Sequence, residues 1–221
     1  MRILNAYAGI GGNRKLWNKE NTGEEHEIVA VELNPQIAKI YRDFFPQDKV
    51  IVADAHQYLL EHFKEFDFIW SSPPCQSHST VRMMASKSGS YDAVFPDMNL
   101  WAEIIFLQHF CKSRWVIENV KPYYKPIIEP VIKLGRHLLW TNFHITDKDF
   151  NDGLTHNERG MSHKGVFDLR KYKIDHRKDQ LIRNSVLPEL GLHILNSALK
   201  ENEDLFTNRV AIKPRRRKLC Q

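Results

Sequence analysis

Three acidic residues and one cysteine stand where short apolar runs of this sequence end. In "FIWSSPPCQSHS" (Phe68 to Ser79) an apolar run breaks into two serines and two prolines, and Cys75 follows at once. Proline fixes its own φ and restricts the residue before it, so the side chain that follows the pair is held rather than swept about. A thiol held in this way is a candidate nucleophile if helix N-termini or cations lower its pKa. The alternative is a buried structural cysteine, against which the proline pair and the polar flanks argue. Glu118 and Asn119 close the run "VIENV". A carboxylate there must be paired, solvated or kept protonated by burial, and the protonated form would donate a proton; its plainer role is to cap the next turn.

Two further acids stand in the same kind of place. Glu32 ends "EIVAVEL" and Asp54 ends "KVIVAD". Carboxylates at the C-terminal ends of successive parallel strands converge on the crevice where doubly wound sheets bind ligands, and an acid about 20 residues beyond a glycine turn suits the ribose hydroxyls of a nucleotide-like cofactor. The turn itself is "AYAGIGG", with Gly9, Gly11 and Gly12. Glycines there allow a tight bend and let backbone amides approach a ligand. Each acid taken singly reads as a helix N-cap; both with the glycine turn favour a ligand site.

Such a convergence requires strands that run side by side with helices between them. "RILNAY", "EIVAVEL", "KVIVAD", "FDFIWSS" and "RWVIENV" read as five strands, with "NRKLWNKE", "PQIAKIYRDFF", "AHQYLLEHF" and "DMNLWAEIIFLQHFCK" as the helices between or beside them. Strand and helix in alternation predict an α/β fold with a mostly parallel sheet and helices on both faces. Ser77 to Pro96, rich in Ser, Gly and Met, reads as a loop. From about His144 the chain turns polar without a clear period, and "LPELGLHILNSALKENEDLF" returns as an amphipathic helix with Leu190, Ile194, Leu195, Ala198 and Leu199 on one side.

Composition bounds the function. At 221 residues, 42% hydrophobic and 27% charged, the chain has the length and balance of one well-cored globular domain. No apolar run reaches the roughly 20 residues of a membrane span, and no signal peptide opens it, so an intracellular protein is expected. Three scattered cysteines without a Cys-x-x-Cys pair predict reduced thiols and no zinc site. A net charge of +5 and a pI near 9.0 favour a polyanionic partner.

The order "YAGIGG", "VEL", "ADA", "PPCQ", "ENV" and finally "IRNSVLPELGLHIL" resembles the ordered motifs of the cytosine-5 DNA methyltransferases. The resemblance spans residues 2 to about 145 and 180 to 199, and "PPCQ" followed by "ENV" is its specific part. It implies a Rossmann-like S-adenosylmethionine-dependent methyltransferase fold: a catalytic and cofactor-binding core over 1–145, a small target-recognition insert over 146–182, a C-terminal helix completing the core over 183–212 and a basic tail over 213–221. It implies S-adenosyl-L-methionine as cofactor, with Tyr7 stacked on it, Gly9 and Gly11 opening the backbone beside it, Glu32 on the ribose, Asp54 on the adenine amino group and Asn184 near its cover. Cys75 would be the nucleophile and Glu118 the contact to ring nitrogen 3 of a flipped cytosine. Arg136 would support the base, although the family has two arginines one residue apart where this chain has Arg136 followed by His137. Arg183 likewise replaces the glycine of the family's "GNSVP". The implied partner is double-stranded DNA, with a cognate restriction nuclease as a potential second one, in a monomeric, cytoplasmic enzyme of bacterial or phage origin. Competing readings are a tRNA cytosine-5 methyltransferase, an amino-group methyltransferase, which would carry an aromatic residue in place of Cys75, and a catalytically silent nucleic-acid-binding homologue.

Overall fold

The computed structural model of the chain describes residues 1–150 and 167–210, with side chains described up to residue 200. Seven strands form one sheet: β1 (Arg2–Ala6), β2 (Glu27–Glu32), β3 (Lys49–Val52), β4 (Phe68–Ser71), β5 (Arg114–Val120), β6 (Ile132–Leu134) and β7 (His137–Thr141). Their order is β3-β2-β1-β4-β5-β7-β6. The first five are parallel, whereas β7 runs antiparallel to both β5 and β6. The chain therefore winds outward from β1 to β3 and restarts at β4 on the other side of β1. Loops leaving β1 and β4 diverge there, which opens the crevice at their C-terminal ends.

Residue alternation along the strands builds a core on each face. Leu4, Val29, Ile69 and Ile117 face α3 (Ala55–His62) and α5 (Asn99–Phe110), packing on Leu59, Trp101 and Ile104. Their neighbours Ile3, Ile28, Phe68 and Val116 face the other way, onto Leu190, Ile194, Leu195 and Ala198 of α7 (Pro188–Val210). The apolar stripe expected on that helix is thus buried, with Leu199 partly so. On the same face α2 (Pro35–Phe44) covers Ala30 with Ile37, Ile40 and Tyr41, and the returning segment adds Phe167, Leu169 and Tyr172. Gln36 of α2 bonds both the backbone and the side chain of Asp175.

Local signals explain the helix starts. Asn34 accepts from the amides of Gln36 and Ile37 with Pro35 at the first position of α2, and Asp54 accepts from Gln57 at the start of α3. The sequence expectation fails in three places. "NRKLWNKE" is mostly turns, and only α1 (Lys19–Thr22) is helical, because Asn13 and Arg14 are engaged elsewhere, with Asn5 and Asp48. The segment expected to be a loop contains α4 (Thr80–Lys87), capped by the Ser79 side chain. The antiparallel pair β6 and β7 and the short α6 (Lys178–Asn184) were not foreseen. Part of the expected recognition insert, residues 151–166, and the basic tail lie outside the described residues. Among the described residues no helix is long and apolar enough to cross a membrane.

Candidate active site

A cavity of about 710 Å³ opens at the C-terminal ends of β1, β2, β4 and β5, and its wall includes Tyr7, Gly9, Glu32, Asp54, Cys75, Glu118, Arg136 and Asn184. Gly11 is the one residue expected in the site that does not line it. A Cβ there would lie 2.3 Å from the Phe45 ring at a φ of +82, so this glycine serves close packing against α2 rather than ligand approach. Gly9 is the reverse case: its φ is +55 and nothing lies within 4 Å of where its Cβ would be.

At one end of the cavity, the strand-end carboxylates frame the glycine turn. Glu32 accepts from the Gly9 amide at 3.0 Å and from the Asn34 amide at 2.9 Å, which clamps the turn to β2. Asp54 both caps α3 through one oxygen and borders the cavity, so its two readings coexist. Tyr7 sits at a φ of +56, a left-handed backbone rare for a bulky residue and often found at functional sites. Its hydroxyl donates to Glu103 Oε1 at 2.6 Å. Glu103, 1% exposed, also accepts from Ser71 at 2.6 Å and pairs with His56 at 2.9 Å.

Cys75 occupies the other end. Asn119 donates to the Pro73 carbonyl at 2.9 Å, tying the proline pair to β5, and the Cys75 carbonyl accepts from the amides of His78 and Ser79. The thiol is thereby fixed at both ends of its turn. The condition of a lowered pKa is not met in the free site: burial, then the nearby Glu118 charge, push the thiol up to about 11, and Arg136 only partly offsets them. Glu118 takes the first of the states open to it. Burial alone would raise its pKa, but His137, Ser72 and Arg136 outweigh it and hold the carboxyl below its ordinary range. It is paired and ionised, not kept protonated by burial. Ser72 Oγ donates to its Oε2 at 2.9 Å and His137 Nδ1 lies 2.6 Å from its Oε1. Arg136 donates to the Arg183 carbonyl at 2.7 Å, which joins the start of β7 to the end of α6 beside Asn184.

Sequence reasoning missed Ser72, Glu103 and His137. The serines were noted only as polar flanks, and Glu103 sits inside an apolar helix whose partners come from distant strands. His137 becomes legible only with the antiparallel register, which sets Val120 opposite His137; His137 then projects on the same face as Glu118, one diagonal step away.

The cavity fits the cofactor that the sequence resemblance implies. It offers two strand-end carboxylates for hydroxyl and amino donors, a left-handed glycine with open space above it, and an aromatic wall at Tyr7. Among the described residues no cluster could hold a metal ion.

Over 225 aligned residues the chain is 24% identical to the type II methyltransferase M.HgiBI of Herpetosiphon aurantiacus, covering 96% of this chain and 48% of that protein. It is 29% identical over 83 residues to the mouse tRNA (cytosine(38)-C(5))-methyltransferase, covering 37% of this chain and 20% of that one. A solved structure of a Spodoptera frugiperda DNMT2 mutant is 28% identical with a TM-score of 0.40, covering 54% of this chain and 35% of that chain. The chain spans about half or less of the length of these curated relatives. The model of the C-5 cytosine-specific DNA methylases matches residues 1–126, more than half of the chain and every strand-end residue from Tyr7 to Glu118, and the chain belongs to that S-adenosylmethionine-dependent family.

Proposed function

We propose that this chain methylates carbon-5 of cytosine in double-stranded DNA through a covalent adduct at Cys75. The observation that carries the reading is the meeting of Cys75 and Glu118 in the same cavity as Gly9, Glu32 and Asp54: nucleophile, base-binding carboxyl and cofactor cradle share one space.

The roles follow from the chemistry of the base. Carbon-5 of cytosine is a weak nucleophile, and adding a thiolate to carbon-6 pushes the electron pair of the 5,6 double bond toward carbon-5. Glu118, ionised in the free site, takes up one proton from solvent as the base enters and donates it in a hydrogen bond to ring nitrogen 3, which offsets the negative charge that would otherwise build on the ring; the proton returns to solvent when the product leaves. S-adenosylmethionine, held by Tyr7, Gly9, Glu32, Asp54 and Asn184, supplies an electrophilic methyl group on a sulfonium. Loss of the carbon-5 proton then returns electrons to the 5,6 bond and expels the Cys75 sulfur. These atoms are unreachable inside a duplex, so the target base must leave the stack.

The segment 77–96 suits closure over that base. Gln76 and Asp97 both line the cavity, so the segment leaves from and returns to its rim, and Ser77 Oγ accepts from the Asp97 amide at 2.9 Å to pin its root. Segments of this kind exclude water once substrate is in place. Arg136, which bears electrostatically on both Cys75 and Glu118, is positioned to support the base. The net charge of +5 suits a phosphate backbone.

DNA is favoured over tRNA because the relative aligned along 96% of the chain is a type II methyltransferase, whereas the tRNA enzyme aligns over 37%. Incubation with labelled S-adenosylmethionine and either duplex DNA or tRNA, followed by nucleoside analysis, tests the reading. The expected product is 5-methylcytosine in DNA, lost in Cys75→Ser with the melting temperature retained. Label in tRNA alone replaces the substrate, and a fully active Cys75→Ser removes the covalent route.

A further inference from the structure

A buried carboxylate is costly unless each oxygen finds a donor. Glu118 is 6% exposed and its two oxygens are served by different side chains. On Oε2 the donor is unambiguous. Trp70 Nε1, which can only donate, gives its proton to Ser72 Oγ at 2.8 Å, so the single hydroxyl proton of Ser72 is directed to Glu118.

Oε1 depends on His137. The imidazole is 3% exposed, its Nδ1 lies 2.6 Å from Oε1, and against an ionised carboxylate that nitrogen is the donor. Its other nitrogen, Nε2, is buried with no hydrogen-bond partner among the described residues, and the residue lines the same cavity as Cys75. The ring is thus fastened to the carboxyl through Nδ1 alone.

We propose that His137 is a positioning residue for methyl transfer: through Nδ1 it fixes Glu118 Oε1, and so aims the carboxyl at a pyrimidine ring bound beside Cys75. The assignment rests on the function proposed above. Imidazole locks the carboxyl plane where a lone serine leaves it free to rotate about its last torsion.

The test uses the full chain and three variants, with kcat and KM for duplex DNA, the Kd for S-adenosylmethionine and the melting temperature measured for each. His137→Ala removes both nitrogens, His137→Asn retains a donor near the Nδ1 position, and His137→Gln places its amide near Nε2 instead. The expected result for alanine is a kcat lower by roughly 10- to 100-fold, with KM and cofactor Kd within about threefold of wild type. Asparagine is expected to restore most of kcat and glutamine little of it. An alanine variant within about twofold of wild type in kcat overturns the proposal. Restoration by glutamine as large as by asparagine also overturns it, as does a parallel fall of kcat, cofactor affinity and melting temperature in all three variants. A wild type that forms no 5-methylcytosine in DNA or tRNA sinks the functional reading and the proposal together; an active wild type with an indifferent His137 sinks the proposal alone.

Discussion

The charge of Glu118 is predicted to hold Cys75 off while no base is bound, and substitution to glutamine reveals by how much. The Cys75 thiol moves from an ordinary 9.0 to about 11, a difference worth roughly 2.7 kcal/mol between its two protonation states. Near pH 8 this leaves about one molecule in a thousand as thiolate, against about one in ten for an ordinary thiol. Burial is the larger cause and the Glu118 charge the next, with Arg136 opposing both. Glu118→Gln removes only the second, so the thiol is expected to titrate lower than in wild type, and alkylation at pH 8 to run faster. The assay is the pH dependence of iodoacetamide labelling, read by mass at the Cys75 peptide without cofactor or DNA. Cys111 provides an internal reference, because its pKa is raised by burial and not by Glu118. Arg136→Met is expected to slow Cys75 labelling, the opposite sign. A glutamine variant that labels no faster than wild type refutes the electrostatic coupling. If the coupling holds, protonation of Glu118 as it hydrogen-bonds to ring nitrogen 3 of a bound base quenches the charge that suppresses the thiolate, and the nucleophile forms only where its target is seated.

Two further substitutions separate packing from binding. Gly11→Ala is expected to destabilise the fold by about 2 kcal/mol or more in urea unfolding, since the new methyl meets the Phe45 ring at 2.3 Å and the backbone is left-handed; Gly9→Ala has open space, costs only about 1 kcal/mol of backbone strain, and shows its effect in S-adenosylmethionine affinity by titration. Tyr7→Phe keeps the ring but takes one donor from buried Glu103, so stability is expected to fall by about 1–2 kcal/mol while cofactor Kd stays within about threefold.

Much of the fold and of the candidate site was legible because strand ends announce themselves locally. Five apolar runs and the caps at Asn34 and Asp54 gave the parallel half of the sheet, and residues at the ends of parallel strands must converge whatever lies between them. Gly11 was misread because a glycine turn does not say which of its members faces ligand and which faces a helix. That distinction depends on Phe45, more than thirty residues away. The protonation of the thiol was left open for a related reason: the buried anion that outweighs Arg136 becomes its neighbour only when β5 is laid beside β4. β6 was missed because a three-residue strand carries too short a period to register.

The two serines before the prolines show what such local reading leaves out. In an extended chain consecutive side chains point to opposite faces, and Ser71 and Ser72 do so with a carboxylate waiting on each side. Ser71 donates to Glu103, which holds Tyr7 at the cofactor end; Ser72 donates to Glu118, which faces Cys75. One dipeptide thus joins two buried acids that share no contact in sequence and serve different ends of the cavity. A Ser71→Ala change therefore disturbs the Tyr7 end first and a Ser72→Ala change the Glu118 end. The prolines that follow lock the pair in register, because a slip of one residue would leave only one of the two carboxylates with a serine donor.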